Sequence, residues 1–158
     1  MKLFKKLSKS DFVFVDLLVT NEEKDFSYFT NLGWTKQNII NQLNKNNNFT
    51  LGYILDNKLS GLLIGDLSEN DKNLELEIHV LFVAKKYRRN KIATSLLDHI
   101  QLSKKLYKIS KIYLEVAENN SEAVKFYEKN NFVFFNFRHN YYRYKNDAIK
   151  AKCYYKII

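Results

Sequence analysis

The chain has 158 residues, with no proline, four glycines and one cysteine, Cys153. A lone cysteine excludes a disulfide framework and gives no metal-ligand spacing, which suits a reducing compartment. No run approaches the ~20 apolar residues that span a bilayer. The segment Met1-Lys2-Leu3-Phe4-Lys5-Lys6-Leu7 carries charge but no apolar core of signal-peptide length. These absences predict a soluble cytoplasmic protein with no membrane partner. No Pro- or Gly-rich linker and no internal repeat divides the chain. The one low-complexity patch, Asn44-Lys45-Asn46-Asn47-Asn48, reads as a polar loop. The length is that of one domain, 1–158, large enough to bury a core without staples.

What is abundant is Lys, Asn, Ile, Tyr and Phe, with a net charge of +9. That charge suits an anionic partner: a phosphorylated cofactor, RNA or a ribosome surface. It suits compositional drift equally well, and drift also accounts for the missing proline. No specific nucleic acid is expected.

Apolar patterning predicts helices over 11–19 and 35–44, the second capped by Thr35. Strands are expected over 49–55 and 59–67, joined by a tight turn at Asp56-Asn57-Lys58. A second polar turn, Ser68 to Asn73, leads to a strand over 74–83. A helix over 92–107 follows, with Ile92, Leu96, Ile100 and Leu106 near one face. A strand over 111–117, a helix over 120–130 and strands near 132–138 and 147–157 complete the chain. The layout is α+β (mixed α/β): one central mixed sheet with an antiparallel N-terminal half and a β-α-β-α-β C-terminal half.

The chemistry is concentrated after the third strand. Arg88, Arg89, Asn90, Lys91, Ile92, Ala93 and Thr94 form the turn into a helix. Unsatisfied N–H groups and a positive dipole there can hold a pyrophosphate. Basic residues at such a turn are the wrong sign for helix stability, which a bound anion would reverse. Taken alone, the turn also reads as solvated surface. Glu115 lies in an apolar strand with Ile112, Leu114 and Val116. It is either a base made useful by partial burial or a carboxylate at an exposed edge. Tyr127 is either a proton donor or a core aromatic, and spacing alone favours the core. His79, His99 and His139 are scattered without metal spacing, and no metal is expected. Cys153 reads as a small core residue.

Arg88 to Ala93 resembles motif A of the GNAT superfamily of acyl-CoA-dependent N-acetyltransferases, Q/R-x-x-G-x-G/A. Arg88 fills the first position and Ala93 the last, while Lys91 replaces the glycine that admits the pyrophosphate. Leu114-Glu115-Val116-Ala117-Glu118-Asn119-Asn120 resembles L-E-V-R-x-S-N of the RimI-like branch, with Ala117 for Arg and Asn119 for Ser. Ala123, Phe126-Tyr127-Glu128-Lys129 and Phe132 resemble A-x-x-L-Y-E-x-x-G-F, with Asn131 in place of Gly. Arg138-His139-Asn140-Tyr141-Tyr142 and Asp147-Ala148-Ile149 resemble R-x-N-Y-Y and D-A-I. The likeness runs from about residue 74 to the end; before that, Trp34 and the following helix are the main echo.

The resemblance implies the GNAT fold, acetyl-CoA as cosubstrate and transfer to a protein N-terminal α-amine, including that of a small-subunit ribosomal protein, hence ribosome proximity. It implies Glu115 as base and Tyr127 as acid. Leu81, Phe82 and Val83 would pair with the pantetheine arm, and the turn from Arg88 to Thr94 would hold the pyrophosphate. Asn120 would touch CoA or simply cap its helix, and Tyr141 would border the peptide channel or pack. A lysine or small-amine acetyltransferase remains an alternative, as does a degenerate CoA- or ribosome-binding module prompted by Lys91.

Overall fold

Short connections between alternating apolar segments build one sheet. Its strands are Lys2–Leu7 (β1), Asn48–Leu55 (β2), Lys58–Asn70 (β3), Asn73–Val83 (β4), Ile109–Ala117 (β5), Val133–Tyr144 (β6) and Asp147–Ile157 (β7). Their order is β1-β2-β3-β4-β5-β7-β6, and β4 with β5 is the parallel pair. Helices are Phe12–Asn21 (α1), Glu23–Asn31 (α2), Lys36–Leu43 (α3), Ile92–Leu102 (α4), Lys104–Tyr107 (α5) and Ser121–Lys129 (α6). The computed structural model describes residues 2–144 and 147–158, with only the backbone at Arg143, Tyr144 and Asp147. No helix among the described residues is long and apolar enough to cross a membrane.

Local chemistry explains the turns. Asp56 and Asn57 have φ of 49° and 60°, the left-handed pair that matches strand twist in a two-residue hairpin. The next turn is tighter than the Ser68–Asn73 reading. β3 continues to Asn70, which pairs with Asn73, and Asp71 turns the chain at φ 53°. Thr35 does cap α3, its hydroxyl accepting from the Asn38 N–H at 3.3 Å.

Two apolar layers flank the sheet. On one face, Leu76 and Ile78 of β4 and Ile112, Leu114 and Val116 of β5 pack with Ile92, Leu96 and Ile100 of α4 and Val124 of α6. On the other, Val80 and Phe82 of β4 pack with Val15 and Leu18 of α1, Phe26 of α2 and Ile39 of α3. Each fully buried aliphatic side chain contributes about 1.5–3 kcal/mol. The predicted helix over 92–107 is interrupted at Ser103, which takes a non-helical φ/ψ of −95°, 17°. Ile92, Leu96 and Ile100 are buried as expected, but Leu106, beyond the break, is 76% exposed.

β4 changes face partway along. Strand parity should keep Ile78 and Val80 on one side, yet they belong to opposite layers. The register supplies the reason: Ile64 pairs with Val80 and Gly65 with Ile78, so His79 is the extra residue of a β-bulge. Gly65 permits it. A Cβ there would lie 2.4 Å from the Glu77 carbonyl oxygen and 2.8 Å from Leu76 Cδ1.

Candidate active site

The bulge lies where the sheet opens. β4 and β5 pair from Leu74 to Ile78 and from Ile109 to Leu114, and no further. Beyond that, β4 stays with β3 up to Val83, and β5 stays with β7 up to Ala117. The strands therefore splay, leaving one edge of β4 over residues 79–83 without a strand. The gap is a cleft of about 380 Å³, walled by Leu81, Phe82 and Val83 on one side and Glu115, Val116, Asn120 and Tyr127 on the other. Tyr28 and Phe29 of α2, with Leu32 at its C-cap, also line it.

The helix after the cleft begins with bare donors. Lys91 is the N-cap of α4 at φ 59°, ψ 17°, without a side-chain cap, and the first turn has no acidic residue. Arg89 is also left-handed, at φ 64°. Lys91 thus takes a left-handed conformation that glycine adopts without strain, and the N–H groups of Ile92, Ala93 and Thr94 open the helix. Ile92 contributes only its backbone, since its side chain is in the core. The side chains of Arg89, Asn90 and Lys91 are exposed and have no partner among the described residues. This cradle fits a pyrophosphate. Arg88 is different. Its Nε donates to the Val83 carbonyl at 3.0 Å and its Nη2 pairs with Asp25 of α2 at 3.3 Å, so its guanidinium ties α2 across the cleft.

The left-handed region costs a non-glycine residue about 1–2 kcal/mol. Lys91→Gly is therefore expected to raise Tm by ~2–8 °C and to leave acetyl-CoA affinity unchanged or improved, read by thermal unfolding and calorimetric titration. A tenfold or greater loss of affinity (about 1.4 kcal/mol) would show instead that the Lys91 ammonium holds phosphate.

Glu115 sits on the β5 face opposite Leu114 and Val116, and its side chain is 16% exposed. Arg138 Nη1 donates to its Oε1 at 2.7 Å, and the Arg138 guanidinium lies 4.2 Å from the Tyr141 ring centre. Tyr141 also hydrogen-bonds Glu115; burial, then that bond, pushes its phenol up to about 12. The Tyr142 hydroxyl donates to the Glu115 carbonyl at 3.3 Å, and burial holds that phenol well above its ordinary value. Cys153 is buried as expected, its thiol pushed up by burial and by the Glu115 charge.

Tyr127 is both core and cleft: it packs in the helical layer and lines the opening. Burial, then the nearby Tyr28, raises its phenol well above the ordinary value. It therefore stays protonated at neutral pH, and its hydroxyl has no hydrogen-bond partner among the described residues. Its position is set by the end of α6. The Phe132 N–H donates to the Tyr127 carbonyl at 3.0 Å, the Asn131 N–H donates to Glu128 at 3.0 Å, and Asn131 has φ 63°. This is a Schellman motif, and its usual apolar contact is the Tyr127–Phe132 ring pair at 5.5 Å. Asn120 caps the other end, its Oδ1 accepting from the Ala123 N–H at 3.2 Å, while it lines the cleft.

A second cavity of about 280 Å³ adjoins the first on the sheet face. Trp34, Glu77, His79, Glu115 and Tyr141 line it. Tyr141 thus meets Glu115 in this cavity and stands apart from Tyr127. Sequence reading gave no site role to Arg138, Tyr142 or Tyr28, and read His79 only as a scattered histidine without metal spacing. The first two stand in the quoted R-x-N-Y-Y stretch, and His79 immediately precedes the apolar end of β4. Tyr28 carried no signal, because α2 was not predicted. No group of three or more metal-ligating side chains occurs among the described residues.

A family model described as "Acetyltransferase (GNAT) family" matches residues 14–132. No curated protein matches by sequence. Among solved structures, a probable acetyltransferase from Staphylococcus epidermidis superposes with TM-score 0.81 at 15% identity, covering 99% of each chain. NAA60 from Arabidopsis thaliana in complex with acetyl-CoA gives 0.73 at 17%, covering 100% of this chain and 99% of that one. The ribosomal-protein-S18-alanine N-acetyltransferase of Escherichia coli gives 0.76 at 17%, covering 100% and 94%.

Proposed function

This chain belongs to the acetyltransferase (GNAT) family, and on that premise we propose that it transfers an acetyl group from acetyl-CoA to the N-terminal α-amine of a protein. The observation that carries the reading is the joined pair of cavities. Glu115 lines both, and Tyr127 lines the larger one. One structural relative supports the choice of acceptor, an S18-alanine N-acetyltransferase. A ribosomal protein N-terminus, a RimI-like assignment, one domain over 1–158 and a cytoplasmic site of action belong to the same proposal.

Acetyl-CoA supplies an activated thioester when bound. The free edge of β4 over Leu81, Phe82 and Val83 would run beside the pantetheine arm. The N–H groups of Ile92 to Thr94, with Arg89 and Lys91 nearby, would hold the pyrophosphate, and Asn120 would border the arm. Arg88 would act by holding α2 over the cleft, and Tyr141 would flank the incoming peptide. Glu115 accepts a proton from the amine. Tyr127 donates its phenolic proton to the departing sulfur, a thiolate whose basicity should be near that of a free thiol, pKa about 8.5.

Tyr127→Phe is expected to lower kcat about tenfold or more with little change in acetyl-CoA affinity. Single-turnover rates and calorimetry separate the two, and an unchanged kcat would remove the acid role. The acceptor is tested with two peptides, one with a free α-amine and one with a blocked N-terminus and free lysines. Acetylation of the first alone is the expected result, and reaction of the second would favour a lysine acetyltransferase.

A further inference from the structure

Amide formation sets a proton count that Glu115 alone does not meet. An α-ammonium has three N–H bonds and the product amide has one. As the N–C bond forms and the C–S bond breaks, two protons leave nitrogen. One is matched by the proton that Tyr127 gives to sulfur, with Glu115 as its acceptor. The other must leave before attack, because an ammonium has no lone pair, and it ends in solvent. An α-amine titrates at about 7.7–8.0, so most of it is protonated near neutral pH.

We propose that His79 takes this first proton, with Asp66 as its positioning residue. The inference rests on the acyl-transfer reading above. Residues common to both cavities are Leu32, Ile78, His79, Glu115 and Tyr142. Leu32 and Ile78 are apolar. Tyr142 is a donor to the Glu115 carbonyl and is held protonated by burial. That leaves Glu115 and His79 as the proton acceptors facing both the acyl donor and the amine. Of all side chains, an imidazole is best matched to a proton moving near neutral pH.

The bulge puts His79 there. As the residue without a β3 partner, it sits at the last rung before the strands part. Its Nε2 lies 3.2 Å from Asp66 Oδ2, which leaves Nδ1 to accept. The Trp34 indole stacks on the ring at 5.6 Å and 28°. Asp66 is itself fixed by Gln42 Nε2 at 2.5 Å and Lys45 Nζ at 3.1 Å. Burial raises its carboxyl, but the bonds from Gln42, Lys45 and His79 outweigh this and hold it below the usual range. The His79 side chain is 25% exposed, so the proton has a route out.

The charged and titratable surroundings of His79 come from several elements. Asp66 of β3 faces it, with Lys45 beyond α3 behind that carboxylate. Glu77 lies on its own strand, Glu115 on β5, and Tyr141 and Tyr142 on β6. Asp25, Tyr28, Arg88, Glu122 and Tyr127 also line the larger cleft.

The test compares kcat/KM of wild type, His79→Gln and Glu115→Gln on a free-α-amine peptide across the titration of the amine. His79→Gln is expected to lose about tenfold or more near pH 7 and less than about twofold near pH 9, where the amine is already neutral. Asp66→Asn should show a smaller loss with the same pH dependence, which a purely structural role would not produce. Glu115→Gln should lose the same factor throughout. Wild-type acetyl-CoA affinity in each variant shows that the cleft is intact. As a second reading, imidazole added to His79→Ala should restore turnover near neutral pH. A pH-independent loss in His79→Gln, no loss, or no rescue by imidazole would overturn the proposal. Transfer to lysine amines alone would overturn the α-amine reading, and imidazole rescue on the lysine peptide would then decide the role of His79. No transfer to any amine would overturn both.

Discussion

Glu115→Gln is expected to lower kcat by about a hundredfold or more while leaving Tm and acetyl-CoA affinity close to wild type. The substitution keeps shape and removes the negative charge. A glutamine carbonyl can still accept from Arg138, so the 2.7 Å contact survives as a weaker bond. Little stability is at stake, because the Arg138 side chain is 53% exposed and ion pairs open to water are worth about 0–1 kcal/mol. What is lost is the proton acceptor common to the two cavities on the β5 side. Steady-state kinetics with a free-α-amine peptide and a thermal melt read the two effects separately. A kcat within about threefold of wild type, with binding intact, would remove Glu115 from the chemistry. It would move the reading toward a module that binds CoA without turnover.

Gly65→Ala is expected to be the most damaging single-methyl change in the sheet. The new Cβ would meet the Glu77 carbonyl oxygen at 2.4 Å and Leu76 Cδ1 at 2.8 Å. A side-chain end can rotate away, but a ladder carbonyl cannot. Relief requires β3 and β4 to separate at the bulge, where His79 stands. Overpacking of this kind costs typically about 1–3 kcal/mol, which corresponds to a Tm drop of roughly 3–10 °C in a chain of this size. Gly61→Ala provides the control. Its Cβ would meet Ile92 Cγ2 at 2.6 Å, a side-chain methyl that can shift. The expected order is a larger drop for Gly65→Ala, with acetyl transfer reduced in the protein that remains folded. Equal melts for the two variants would show that the bulge is not pinned by Gly65.

Much of the architecture was legible because the dominant signals are local. The Asp56-Asn57 turn, the Thr35 and Asn120 caps and the run of β7 over 147–157 follow from residue types at fixed spacings. β1 and α2 were not predicted. β1 is an edge strand with Leu7 its one fully buried residue, and its lysines mask any alternation. α2, Glu23–Asn31, buries only Phe26, so its apolar stripe is too thin to stand out. Leu106 shows the opposite error. Its spacing extends the α4 stripe, but the break at Ser103 turns it to solvent.

The sequence by itself determined the succession of strands β2 to β7, the bare N-terminus of α4, the apolar strand around Glu115 and the Asn131 cap that orients Tyr127, because each depends on residues within a few positions of one another. Only the tertiary structure decided where β4 and β5 part, that the guanidinium of Arg88 reaches Asp25 on α2, that Arg138 and Tyr141 close on Glu115, and that His79 faces both cavities. Those depend on strand register and on a one-residue bulge opposite a glycine. A shift of one residue exchanges the faces of a strand, and nothing local to His79 records which face it takes.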